Sequence, residues 1–146
     1  MSTKTALAEP SVTTTKQQEE QARQFALDAA RLAAMTRCHN VVILDVRQIS
    51  PVTDFLILAT GTSARQMRSV CDELAELAQQ RGHRPLAFEG LEGDQSVEGG
   101  QPGQGEQGAW MLIDFVDVVF HVFSQEARAY YDLDSLWGDA KVIPYA

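Results

Sequence analysis

The chain has 146 residues, with 12 Lys and Arg against 20 Asp and Glu and a formal net charge of −8. That length suits one domain with its own core, and 45% hydrophobic with 22% charged residues is the balance of a soluble globular chain. The charge argues against direct nucleic-acid binding unless the basic residues segregate onto one face, and it suits a basic protein partner.

Residues 1–14 are small, polar and Thr-rich and read as a disordered tail ahead of a single domain over 15–146. Thr15 and Gln18 have capping-box spacing, and Phe25, Ala29, Leu32 and Ala33 recur on one helical face as far as Met35. "VVILDV" (41–46) is a short run rich in β-branched residues, a buried strand. After a turn at Pro51, "DFLILAT" (54–60) reads as a second strand, apolar on both faces. Ser63 and Gln66 form another capping box. They open a helix to about Gln80, with Met67, Val70, Cys71, Leu74 and Leu77 as its stripe and Gly82 at its end.

"PLAFE" (85–89) can be a short strand. Residues 90–108 are Gly-, Gln- and Glu-rich and read as a mobile acidic loop. "AWMLID" and "DVVFHVF" are two strands joined by a tight turn near Phe115–Asp117. Ser124 can cap a helix through "QEARAYY", and "DLDSLW" follows as a compact helical turn. The expected architecture is an α/β (α+β) sandwich, a mixed sheet of about five strands flanked by helices.

Cys38 and Cys71 form no CxxC pair, which argues against a disulfide framework or zinc site and suits a reducing cytosol. The N-terminus has neither an apolar signal core nor an arginine-rich transit pattern, and no apolar run reaches the ~18 residues of a membrane span.

Four polar residues stand in the most apolar stretch, 109–123: Trp110, Asp114, Asp117 and His121. Asp114 and Asp117 have a spacing that can hold a metal or provide an acid and a base, but aspartates also flank turns to bind local amides. His121 shares a strand face with Val119 and Phe123. It has no evident nucleophile to serve, so a satisfied or displayed histidine is preferred over a catalytic one. "TGTS" (60–63), where a strand meets a helix, can seat a phosphate; capping alone also explains Ser63. Trp110 is divided between core packing and an interface role.

Taken in order, "DVRQISPVTDFLILATGTSARQMRSV", "FEG", "WMLIDFVDVVFHVF" and "EARAYYDLDSLWGDA" resemble the Iojap, or ribosomal silencing factor, family over roughly residues 25–141. The resemblance implies a nucleotidyltransferase-like topology without enzymatic activity and without a cofactor. It implies binding to a basic protein of the large ribosomal subunit, number fourteen in the bacterial nomenclature, so that the small subunit cannot join and translation is repressed. It implies a protein able to form a homodimer; the cysteine usage adds a cytoplasmic setting, and the charge and hydropathy add no direct nucleic-acid or membrane contact. Carried over, Trp110, Asp114, His121 and Phe123 lie on or beside the partner-binding face, Glu89 and Gly90 at the matching E-G position, and Ser63 at the matching helix start. Two departures stand out. Residues 91–108 are longer than the family's usual link, and Val116 stands where glycine is expected, which calls for a different or strained turn. The rival reading is a nucleotidyltransferase-like, nucleotide-binding enzyme with TGTS as its phosphate cradle.

Overall fold

A computed structural model describes residues 12–83, 85, 87–90 and 109–145, with side chains from residue 16 onward. The elements, in chain order, are α1 (Val12–Met35), β1 (His39–Asp45), β2 (Phe55–Thr60), α2 (Ala64–Gln80), β3 (Ala87–Gly90), β4 (Trp110–Asp114), β5 (Val118–Phe123), α3 (Gln125–Tyr131), α4 (Leu133–Leu136) and β6 (Lys141–Ile143). The strands form one mixed sheet of six, in the order β3-β4-β5-β2-β1-β6. Only β2 and β5 run parallel; every other neighbouring pair is antiparallel.

β2 sits at the centre of the described core, and all six of its residues are buried. That is why "FLILAT" carries apolar side chains on both faces. One face of the sheet is covered by α1 and α2. α1 presents Ala22, Phe25, Ala26, Ala29, Ala30 and Ala33, all essentially inaccessible, over Ile43, Phe55, Ile57 and Phe120. Five of those six helix residues end at Cβ, so the helix can lie close to the sheet without a thick layer of side chains. α2 adds Met67, Val70, Cys71, Leu74 and Ala78. The smaller α3 and α4 lie on the other face, where Leu44, Leu56, Leu58 and Phe123 pack with Ala127, Leu133 and Trp137.

The ends of α2 follow from its sequence. Ser63 Oγ accepts from Gln66 N at 3.1 Å, and Gln66 Oε1 accepts from Thr62 N at 2.9 Å, one residue ahead of the capping-box amide. At the other end Gly82 has φ 78. His83 N donates to Ala78 O at 2.8 Å and Gly82 N to Gln79 O at 3.2 Å, the paired bonds of a Schellman stop.

Three expectations need correction. α1 begins by Val12, so Thr15 lies inside the helix and not ahead of it. Gly90 belongs to β3 and not to the following loop. The sheet has a sixth strand, β6, missed because three residues ahead of Pro144 carry almost no periodic signal. Residues 1–11 of the expected tail over 1–14, and 91–108 of the expected acidic loop over 90–108, lie outside the described residues, while residues 12–14 of that tail are helical. Among the described residues no helix is long and apolar enough to cross a membrane.

Candidate partner-docking face

Register decides which side chains share a face. Trp110 pairs with Phe123, Leu112 with His121 and Asp114 with Val119. On the other flank Glu89 pairs with Leu112. Paired residues point the same way, so Trp110, Asp114, His121, Phe123 and Glu89 occupy one face, the one away from α1 and α2. α3 and α4 pack on this face over β1, β2 and β5, and Tyr131 of α3 reaches Trp110 of β4. Over β3, β4 and β5, Trp110, Leu112, Asp114 and Val119 remain partly exposed and Glu89 exposed.

Trp110 is held from three sides. Its ring lies 5.0 Å from Phe123 and 4.6 Å from Tyr131, and its Nε1–H donates to His121 Nδ1 at 3.1 Å. The bond assigns His121 the neutral form protonated at Nε2. Burial disfavours its charged form and lowers its pKa from 6.5 to about 4, outweighing the Asp114 carboxylate that acts to raise it. His121 is thus a fixed acceptor, and Trp110 is both part of the core and the inner wall of the exposed face. Phe123, 1% exposed, is purely the support beneath it.

The other two sequence-selected positions lie apart from this set. Gly90 pairs with Met111, on the opposite face of the sheet. Ser63 is the N-cap of α2, where its hydroxyl is already engaged. Tyr130 and Tyr131 share the division between core packing and an interface role stated above for Trp110. Tyr131 is 40% exposed and Tyr130 79%. Their rings meet edge-on at 5.0 Å, which continues the aromatic series from Phe123 through Trp110 to the surface. Arg128 fixes that helix in place. Its Nη1 donates to Asn40 O at 2.7 Å and Thr60 Oγ1 at 3.0 Å, and its Nε and Nη2 form a fork onto Asp134.

The β4–β5 connection is a γ-turn. Asp117 N donates to Phe115 O at 3.0 Å around Val116, whose φ is 79. A β-branched residue in this region is strained, as expected where the family resemblance calls for glycine. Asp114 Oδ1 accepts from Val116 N at 2.8 Å, which holds the turn and orients Asp114. Val116→Gly is expected to raise stability by about 1 kcal/mol, the strain relieved less the added freedom of the unfolded chain. Thermal unfolding followed by circular dichroism should show a midpoint about 3 °C higher; a lower midpoint would show that the turn is not strained.

The nucleotide reading does not assemble. TGTS follows β2, whose last residue pairs with Phe123, whereas Asp114 and Asp117 flank the start of β5. The two features sit at opposite ends of strands about 17 Å long. The amides of Thr62 and Gln66, which a phosphate would need, are already bonded to Gln66 and Ser63 side chains. Among the described residues no group of three or more His, Cys, Asp or Glu is placed to hold a metal ion. Cys38 is buried, and that burial pushes its thiol pKa up, against the Gln66 amide beside it.

Comparison with known proteins gives a consistent result. Residues 19–146 match the family model described as ribosomal silencing factor during starvation. The ribosomal silencing factor RsfS of Halalkalibacterium halodurans is 36% identical over 107 residues, 73% of this chain and 80% of that protein. The Bacillus subtilis protein of the same name is 32% identical over 104 residues, 71% and 76%. A crystal structure from Bacillus halodurans superposes with TM-score 0.59 at 32% identity, covering 83% of this chain and 94% of the other. One from Chromobacterium violaceum does so with TM-score 0.62 at 26% identity, covering 82% and 85%.

Proposed function

Since the chain belongs to the ribosomal silencing factor family, we propose that it docks the β3–β4–β5 face onto a basic protein of the large ribosomal subunit and so excludes the small subunit. The chain is a repressor of translation that acts on the large-subunit machinery and is not an enzyme. The observation that carries the finer reading is the gathering of Trp110, Asp114 and Glu89, backed by the buried His121, on a sheet face that α3 covers only in part. Buried aromatic walls beside a displayed carboxylate are the ingredients of a hot spot facing lysine or arginine. Gly90 and Ser63 contribute through backbone course and helix capping, not direct contact. The mechanism is competition for surface and needs no cofactor. The site of action is the cytoplasm, and a homodimer formed through the same face would compete with the ribosome.

The test is co-sedimentation of the full chain with separated large subunits, with small subunits added afterwards. Binding to the large subunit with joining blocked supports the reading; joining at the normal rate in the presence of saturating protein overturns it. Asp114→Asn keeps an acceptor for Val116 N but removes the charge. It is expected to weaken large-subunit binding about fivefold, roughly 1 kcal/mol, with an unchanged thermal midpoint.

A further inference from the structure

The sheet face is too small to be the whole docking surface. Three strands about 4.8 Å apart and five residues long make a patch of roughly 240 Å². A standard interface buries about 800 Å² on each partner. The contact must therefore run past the sheet, and beyond Asp114 it meets an exposed apolar surface.

Two turns meet at that end. The β1–β2 connection returns through Asp54, and both Asp54 N and Phe55 N donate to Asp117 O at 3.0 Å, which locks it against the γ-turn. Within the γ-turn, Phe115 points inward, 4% exposed, and meets the Phe25 ring edge-on at 5.0 Å. With Phe115 anchored, the positive φ of the next residue turns Val116 outward, where it is 48% exposed. Across the junction Val52 is 78% exposed, and Ile49 precedes it on the same connection, also exposed. Val52 and Val116 are thus two β-branched apolar side chains at the junction of the two turns, with carboxylates among them, while Ile49 lies further along, beside Arg47 and Lys141. Burial and the neighbouring Asp117, Glu19 and Asp45 carboxylates raise the Asp54 pKa, and Arg47 opposes them. That arginine is itself committed to Asp45 through a two-bond fork. A rim of this sign selects a cationic partner, and the apolar tips select one that also offers an apolar side chain.

We propose that the docking face continues around the end of the sheet onto Val52 and Val116, which receive an apolar side chain of the same basic protein while Asp54, Asp114 and Asp117 face its cationic groups. This extension rests on the docking face proposed above. It also gives the strained Val116 a purpose: a glycine there would relax the turn but display nothing.

The experiment measures the affinity of the full chain for purified large ribosomal subunits. Val52→Ser removes only the apolar tip and is expected to weaken binding about threefold. Val52→Lys adds a charge of the partner's own sign and is expected to weaken it about tenfold. Val116→Gly is expected to weaken binding about threefold while raising the thermal midpoint, a combination that a merely structural role does not produce. If all three variants bind within twofold of wild type while Asp114→Asn is weakened, the docking face stops at Asp114 and the extension is wrong. If wild type itself does not bind large subunits, the docking face and its extension both fall.

Discussion

Gly61→Ala is expected to destabilise the chain by about 2–3 kcal/mol, at the upper end for overpacking a filled core. A methyl group at this position would fall well inside contact distance of Met67 Cγ, 2.8 Å from Gln66 Oε1 and 3.0 Å from Met67 Sδ. Met67 has no exposed surface into which to move. Gln66 cannot yield freely either, because its Nε2 donates to Thr36 O at 2.7 Å while its Oε1 holds Thr62 N. Gly61 N also donates to Phe123 O at 2.7 Å, so the backbone cannot back away without losing that bond. Urea unfolding should report the loss, with a thermal midpoint lower by about 8 °C. Met67→Ala in the same chain removes two of the three clashing atoms, the Met67 Cγ and Sδ, so the double variant should cost less than the sum of the singles. Strict additivity would show that the strain is relieved elsewhere.

The second large effect depends on pH and centres on His121, 8% exposed. Its pKa is lowered from 6.5 to about 4 in the folded chain. The unfolded chain takes up its proton near pH 6.5 and the native chain only near pH 4. Between those values the unfolded state binds more protons, so stability falls as pH falls. At 1.36 kcal/mol per unit, the loss reaches about 3 kcal/mol at and below pH 4. The chemistry agrees: a proton on Nδ1 would face the Trp110 N–H that now donates to it. His121→Asn keeps an acceptor near the Nδ1 position but cannot titrate. Comparing unfolding free energies of the two chains from pH 7 to pH 4 cancels the carboxylates common to both. The expected result is a wild-type advantage at pH 7 that shrinks by about 3 kcal/mol on acidification; a difference independent of pH would mean that His121 titrates normally.

Local patterns in the sequence foretold much of this fold. The stripe of α2, its serine cap and glycine stop, and the apolar β2 each carry a signal within a few residues, because helix period, capping and burial are local properties. Strand neighbours are not local. Nothing between Thr60 and Val118 announces that β2 and β5 lie side by side, and β6 is too short to declare itself. The site divides in the same way. Alternation along "WMLID" and "VVFHVF" suffices to place Trp110, Asp114 and His121 on one face. It does not reveal that the indole N–H is spent on His121, nor that Tyr130, next to it in contact through Tyr131, is the aromatic most open to a partner. The first depends on side-chain geometry across β4 and β5, and the second on how α3 folds back, fixed by Arg128 reaching to Asn40 and Thr60. Val116 is the converse case. Its misfit with a tight turn was legible from residue type alone, and the structure keeps the misfit.

The central position of β2 also has a consequence during synthesis. Its β1 side can pair as soon as the strand is made, but its β5 side waits for residues 118–123. At roughly 5–20 residues per second the wait is about 3–12 s. Throughout it, "FLILAT" offers an unpaired edge, apolar but for Thr60, with no charge or proline to blunt it. The sheet is thus most vulnerable in its middle, and production of this chain should be limited less by final stability than by how well that edge is sheltered on the ribosome.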